Sequence, residues 1–325
     1  MTGLTTALGP GGESDRIRAL LGGGAADPRL RVGPGDDAAV IGDLVLSTDL
    51  TVEGVHFRRA WLTLQEVGDR AVTVAVSDLA AMGADPVAVF LSLALPDRDE
   101  GVEAARALGD GARAAAARAG ATLAGGDLTR SPGPLVADVV AVGRTSDPVL
   151  RSTARAGDDL WVTGLLGGAA GAVSAWASGA EPSAAMRARF VAPTPRLGLL
   201  RRLREAGWVT AALDLSDGLL ADAGHLAAAS GLRARVEADR VPVAPALGGL
   251  GPAEALRLAL EGGEDYELLF AAPPEARAEL GGHGPTRLTR VGALVPGTGV
   301  VRIDPDGSEV DVRGGGFDHF AGTAS

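Results

Sequence analysis

The 325-residue sequence contains no lysine, no cysteine and no asparagine, and its only glutamine is Gln65, so all 30 basic side chains are arginine. Without lysine there is no P-loop, whose glycines need a lysine after them, and no protein kinase, which needs a strand lysine and a catalytic-loop asparagine. Schiff-base and pyridoxal-type chemistry is excluded for the same reason. Without cysteine there is no thiol nucleophile, disulfide, zinc ribbon or iron–sulfur cluster. Positive charge is also scarce: 41 acidic residues leave a formal net charge of −11. That balance argues against nucleic acid as the main ligand, because phosphate backbones select basic surfaces. If the ligand is a polyanion, metal ions must supply the positive charge. Long hydrophobic runs are missing too. No stretch of ~18 charge-free apolar residues is present to span a membrane. Residues 1–12 lack the basic start and apolar core of a secretory signal, so the sequence predicts a cytoplasmic protein.

What is present reads as two domains, at ~100–200 residues each. A short helix over 13–24 ends in three glycines, and strands follow at 38–41 and 44–47. Thr63 and Glu66 form a capping box, and Val67, Ala71, Val74 and Met82 continue at helical spacing. Next come an apolar strand over 87–95, an alanine-rich helix over 99–119, and strands at 121–124 and 135–143. The pattern restarts around 144–158, which places a boundary near 147 and gives domains 1–147 and 148–325. The second half predicts strands at 160–163, 211–215, 233–237 and 266–271, with helices near 168–178, 196–206, 217–229 and 252–260. Mixed elements in both halves give an α/β (α+β) class. A weak echo suggests related halves: Val76-Ser77-Asp78-Leu79 against Leu215-Ser216-Asp217-Gly218, and Gly125-Gly126-Asp127 against Gly262-Gly263-Glu264-Asp265.

The chemistry concentrates in aspartates at element ends. Asp37 and Asp49 adjoin apolar strands, Asp127 follows two glycines, and Asp214 and Asp217 flank Ser216 where a strand gives way to a helix. Asp78 shares the apolar stripe of its helix, where a carboxylate is costly unless paired or bound to a metal. Any one aspartate of this kind reads as an N-cap or turn former. Six together point to hard oxygen ligands without histidine or cysteine, which suits magnesium bridging carboxylates to phosphates. Ser47 and Thr48 stand beside Asp49 as further oxygen donors or as ordinary strand residues. His56 follows that cluster by seven residues and is either structural or part of a phosphate site. The glycine-rich segment 164–171 matches neither the dinucleotide nor the Walker spacing and reads as a closely packed helix start. Phe317 and Phe320, two of six phenylalanines, suggest that the C-terminal segment docks onto the core or a ligand.

Six motifs stand in order: Gly-Pro-Gly-Asp-Asp-Ala-Ala (33–39), Ser-Thr-Asp-Leu-Thr-Val-Glu-Gly-Val-His-Phe (47–57), Ser-Asp-Leu-Ala-Ala-Met-Gly-Ala-Asp-Pro (77–86), Gly-Gly-Asp-Leu-Thr (125–129), Asp-Leu-Ser-Asp-Gly-Leu (214–219) and Gly-Gly-Glu-Asp-Tyr-Glu-Leu (262–268). Together they resemble the thiamine-monophosphate kinases, within the aminoimidazole-ribonucleotide synthetase superfamily, from about residue 13 to Phe320. The resemblance implies the two-domain synthetase-like architecture and a homodimer paired through its N-terminal sheets. It implies ATP-dependent phosphorylation of thiamine monophosphate to thiamine diphosphate, the final step of thiamine diphosphate biosynthesis, with several Mg2+ ions. The implied metal ligands are Asp37, Ser47, Thr48, Asp49, Asp78, Asp127, Asp214 and Asp217. The implied nucleotide residues are Gly126, Asp127, Arg151 and Ser216, and the implied thiamine residues are His56, Glu264 and Phe317. One departure is that 99–119 lacks the aromatic residue the family often packs on the nucleotide. No general base is expected, because the attacking phosphate has a second pKa of about 6 and is already largely ionised at pH 7. Positioning and charge neutralisation are then the task, as a direct in-line transfer. Sister enzymes acting on aminoimidazole-type ribonucleotides are the nearest rivals. The selenophosphate-forming and carbamoyl-handling members need a cysteine or lysine that this chain lacks.

Overall fold

The structure, a computed structural model, describes residues 12–22, 27, 29–99, 101–282 and 284–312. It opens with helix α1 (Gly12–Leu21) and then builds a seven-stranded sheet from β1 (Leu30–Val32), β2 (Ala39–Ile41), β3 (Leu44–Val52), β4 (Asp85–Pro96), β5 (Thr122–Gly125), β6 (Leu128–Ser131) and β7 (Val136–Arg144). The order is β1-β2-β3-β7-β4-β5, with β6 also on β4. β3 and β7 run antiparallel, with Ser47 opposite Ala141 and Asp49 opposite Val139. Because successive side chains alternate across a strand, Val45, Ser47 and Asp49 share one face while Leu46, Thr48 and Leu50 take the other.

The inner face packs on α2 (Leu64–Ala81), with α3 (Val102–Arg118) against α2. The Thr63–Glu66 capping box starts α2, each residue bonding the other's backbone. The two helices cross so closely that a Cβ on Gly68 would collide with the Leu108 backbone, and one on Gly111 with the Gln65 carbonyl. The outer face leaves Ile41, Leu50 and Phe90 exposed.

The second sheet uses β8 (Asp159–Thr163), β9 (Ala211–Asp214), β10 (Leu232–Glu237), β11 (Leu268–Ala272), β12 (Leu288–Pro296), β13 (Gly299–Ile303) and β14 (Glu309–Val312), in the order β14-β13-β10-β12-β8-β11-β9. The same half of the chain carries α4 (Gly168–Ala177), α5 (Ala184–Val191), α6 (Leu199–Glu205), α7 (Leu219–Ser230), α8 (Pro252–Glu261) and α9 (Arg277–Leu280), of which α4 and α5 bury residues in the core of the first sheet and α2. Leu160, Val162, Leu213 and Leu269 of this sheet bury against Leu220 and Leu226 of α7. Trp161 and Phe270 bury with Leu200 and Leu203 of α6 and with Ala81 of α2. At roughly 1.5–3 kcal/mol per large apolar side chain, these layers hold α2 firmly between the sheets.

Several elements differ from the sequence reading. β3 runs on to Val52, five residues beyond the expected strand, which puts Asp49 inside it. The helix expected over 99–119 starts only at Val102, because Asp97–Asp99 forms a short 3-10 turn. The helix expected from 217 starts at Leu219, because Gly218 has φ 114°, outside helical space. α5, β6 and β12–β14 had no sequence signal clear enough to register. The two echo segments occupy unlike settings: Asp78 lies within α2, whereas Asp217 lies ahead of α7. The 164–171 segment packs closely as expected, since a Cβ at Gly171 would strike Leu247. Among the described residues, no helix is long and apolar enough to cross a membrane.

Candidate active site

Where α2 meets both sheets, three carboxylates converge. Asp37 comes from the loop before β2, Asp78 from α2 and Asp214 from the end of β9, and their oxygens lie within 4.8 Å of one another. Asp37 and Asp214 are buried, and Asp78 partly so. Arg151 donates from one guanidinium nitrogen to Asp37 Oδ1 at 2.6 Å, and its backbone N–H donates to Asp36. Ser47 Oγ donates to Asp78. Asp37 Oδ2 is buried with no hydrogen-bond partner. Burial and the neighbouring Asp37 carboxylate push Asp214 up to about 7. Burial, Asp214 and Asp37 push Asp78 well above the usual carboxylate range. Burial and Glu264 likewise raise Asp49 to about 7. Clustered carboxylates resist ionising together unless a cation joins them.

A second group, Asp217, Asp222 and His225, brings its ligand atoms within 4.8 Å at the start of α7. Asp222 accepts from the backbone N–H groups of Gly218 and Asp217 at 3.1 and 3.2 Å, which fixes the turn that carries Asp217.

Beside these groups opens a cavity of about 560 Å³, lined by Asp49, His56, Trp61, Phe190, Ser216, Asp217, Glu264 and Tyr266 among others. One wall is aromatic. Trp61 stacks on Trp176 with centroids 5.0 Å apart and planes 9° from parallel, and Phe190 meets both rings edge-on. His56 Nδ1 accepts from the Val52 N–H at 2.9 Å, so the proton of the neutral ring sits on Nε2. The 262–266 segment forms another part of the lining. A Cβ on Gly263 would collide with the Ser216 carbonyl, so this chain segment can lie directly on the β9–α7 turn. Glu264 N–H then donates to Ser216 O at 2.8 Å and Tyr266 N–H to Leu215 O at 2.9 Å. Glu264 (φ 74°) and Tyr266 (φ 48°) are the non-glycine residues with positive φ among the described residues, a strain that concentrates at functional sites. Arg70 of α2 pairs with the Glu264 carboxylate and donates to the Phe190 carbonyl.

The expected site residues thus fall into groups. Asp37, Asp78 and Asp214 meet, with Ser47 and Arg151 bonded to them. Asp49, His56, Ser216, Asp217 and Glu264 line the cavity. Thr48 sits on the opposite sheet face, exposed, and its hydroxyl donates to Asp138 at 2.7 Å. Gly126 and Asp127 are exposed between β5 and β6, outside both carboxylate groups, and Asp127 Oδ1 accepts from its neighbour Leu128 N–H at 2.9 Å. Phe317 lies outside the described residues. Sequence reasoning missed Arg70, Trp61, Trp176, Phe190, Tyr266, Asp222 and His225. A signal existed for two of them: Arg70 interrupts the Val67–Ala71–Val74 stripe, and Asp222 and His225 are one helical turn apart.

The fold and the site define a class. Residues 35–145 match the model for the AIR synthase related protein, N-terminal domain, and residues 155–304 match the corresponding C-terminal domain. A curated thiamine-monophosphate kinase of Mycobacterium tuberculosis is 38% identical over 278 residues, covering 82% of each chain. A crystal structure of thiamine-monophosphate kinase from Stenotrophomonas maltophilia superposes with a TM-score of 0.74 at 39% identity, covering 91% of this chain and 96% of that one. A chain described as AaThiL complexed with AMPPCP and TMP superposes with a TM-score of 0.81 at 31% identity, covering 96% and 97%. This chain belongs to the thiamine-monophosphate kinases, a family of phosphotransferase enzymes within the AIR synthase related proteins.

Proposed function

We propose that the chain transfers the γ-phosphoryl group of ATP directly to thiamine monophosphate, giving thiamine diphosphate and ADP, as the last step of thiamine diphosphate biosynthesis. The observation that carries this reading is the oxygen-only carboxylate cluster beside a cavity with an aromatic wall and an acidic rim. A relative solved with AMPPCP and TMP supports it.

Asp37, Asp78 and Asp214 fit a magnesium site by their chemistry. They are hard oxygen donors, a buried Asp37 oxygen lacks a partner, and the cluster's ion pair among the described residues is the one from Arg151 to Asp37. Asp49 and Asp217 would extend the donor set towards the cavity, and we keep Ser47, Thr48 and Asp127 as further candidate ligands. Magnesium, when bound, supplies the charge that lets two polyanions approach. The chain's own residues position the reactants. Gly126, Asp127, Arg151 and Ser216 are assigned to the nucleotide. Arg151 is held by Asp36 and Asp37 at the cluster's edge. His56, Glu264 and Phe317 are assigned to thiamine, with Glu264 offering negative charge to a permanently cationic ring and Trp61 a flat surface. No side chain acts as base: a terminal oxygen of the monophosphate forms the new bond to phosphorus as the bond to ADP breaks.

We further assign residues 1–147 to a first domain carrying most metal ligands and a dimer interface, and 148–325 to a second. The apolar outer face of the first sheet, with Ile41, Leu50 and Phe90 exposed, fits a second copy of the chain. The use of ATP fits a cytoplasmic setting.

The decisive experiment mixes protein, magnesium, ATP and thiamine monophosphate and follows thiamine diphosphate by phosphorus NMR. Turnover of formylglycinamidine ribonucleotide in its place would move the chain to a sister activity. Trapping a phosphorylated protein from ATP alone would overturn direct transfer.

A further inference from the structure

The cavity's acidic wall depends on a residue that does not line it. Arg70 sits in α2 with 3% of its side chain exposed, among positions that otherwise bury valine and alanine. Its guanidinium meets two separate parts of the chain, the end of α5 and the 262–266 segment. One nitrogen donates to the Phe190 carbonyl at the end of α5, and another pairs with Glu264 Oε2. Its central carbon lies 4.1 Å from the Phe190 ring centroid and 5.6 Å from that of Tyr266.

A buried arginine is an expensive way to fill space. Apolar residues of similar volume usually stabilise a core as well or better, so a retained ion pair needs another reason. Here the partner carboxylate faces the cavity, on a backbone whose Glu264 and Tyr266 are both held in left-handed conformations. A glutamate on such a segment has several rotamers open to it, and a planar guanidinium with its other nitrogen tied to the Phe190 carbonyl selects one.

We infer that Arg70 is a positioning residue for thiamine-monophosphate recognition: it fixes the Glu264 carboxylate, and through Phe190 the aromatic wall, in the arrangement the substrate's heterocycles meet. The inference rests on the proposed function and on Glu264 meeting the substrate.

Steady-state kinetics on the full chain, with thiamine monophosphate and ATP varied separately, test it in four variants: Arg70→Met, Arg70→Lys, Glu264→Gln and the Arg70→Met/Glu264→Gln double. Arg70→Met should raise KM for thiamine monophosphate by about tenfold or more, with KM for ATP moving less than about threefold. Arg70→Lys keeps the charge but loses the planar guanidinium, and should fall between Arg70→Met and the original. In the double variant the Glu264→Gln change should add less than about threefold, because both substitutions break one unit.

Effects that multiply fully in the double variant would overturn the inference. So would an Arg70→Met protein with unchanged KM for thiamine monophosphate, or equal rises for both substrates. If Arg70→Met does not melt cooperatively, Arg70→Lys decides alone, and unchanged KM there overturns the inference. Unchanged KM in Glu264→Gln would take Glu264 out of substrate contact and overturn it as well. If the unaltered protein does not turn over thiamine monophosphate, the functional reading fails separately. Amide exchange of Glu264 and Tyr266 then decides: lost protection in Arg70→Lys upholds the anchoring role, and full protection overturns it.

Discussion

Glu267 and Asp214 are both sealed from water, at 1% and 5% exposure, but their neighbours carry opposite charge. Glu267 accepts from Arg189 at 2.8 Å, from two nitrogens of Arg196 at 2.6 Å and from the Thr163 hydroxyl at 2.6 Å, so two cations surround one carboxylate. Asp159, fully buried, is treated likewise by Arg277 and Arg290. Around Asp214 the ratio reverses: Asp37, Asp78 and Asp214 converge on one another, and a single arginine, Arg151, pairs with one of them, Asp37. The first arrangement is complete and holds the fold together. The second has an excess of negative charge that, on the proposed function, a bound cation would balance, and that imbalance is what marks these carboxylates as the candidate site in a chain rich in both.

The contrast is open to direct attack. Asp78→Asn should cost at least about a thousandfold in kcat/KM, the upper range for losing a preorganised electrostatic group. Its thermal midpoint without magnesium should stay level or rise, since one of three like charges is gone. A falling midpoint with near-normal kcat/KM would place Asp78 with Glu267 instead. Glu267→Gln should do the reverse, losing about 3–5 kcal/mol in urea unfolding by removing the buried charge that two partly buried arginines share. Magnesium at a hundred times its Kd should stabilise the protein by about 2.7 kcal/mol, and Asp214→Asn should abolish most of that gain. Equal gains in both proteins would put the ion elsewhere.

The smallest effect concerns Asp265, whose acidity burial pushes from 3.8 to about 7, partly offset by the Gly167 N–H that donates to it at 2.6 Å. Unfolded, this carboxyl gives up its proton near its ordinary value; folded, it keeps it to about 7. Between those values the unfolded state holds fewer protons, so stability falls as pH rises, by at most about 1.4 kcal/mol per pH unit. Asp265→Asn should flatten that slope, read as the denaturation midpoint at pH 5 and pH 7. An unchanged slope would mean that Asp265 ionises freely in the folded protein.

Much of the site was legible because its residues violate local expectation. Asp78 stands out as a carboxylate in an apolar helical stripe, and Asp37 and Asp214 as acids beside buried strands. The capping box of α2 was readable for a similar reason, since both members lie within four residues. Arg70 was not, because an arginine in a stripe reads as a side chain reaching for water, and its true partner lies 194 residues away. The Trp61–Trp176 stack joins a residue of the N-terminal family match to one of the C-terminal match, which no spacing rule detects. Thr48 reads with its neighbours as an oxygen donor, but strand pleating turns its hydroxyl to the other face, where it meets Asp138. β6 has only four residues, mostly exposed, and depends on its pairing with β4 rather than on any hydrophobic pattern.

The placement of Asp78 inside α2 has a further consequence for how this chain tolerates length changes. Each residue added to a helix turns everything beyond it by 100° and advances it by about 1.5 Å. The capping box fixes the rotational origin of α2 at Thr63, and the Gly68–Leu108 and Gly111–Gln65 approaches leave no slack for the helix to slide. A single inserted residue between Glu66 and Ser77 would therefore leave a helix that still forms and still finds apolar neighbours, yet aims its carboxylate a quarter-turn away from Asp37 and Asp214. Loops elsewhere in the chain have room to lengthen by drift, but α2 works as a gauge whose count is set by the site it serves.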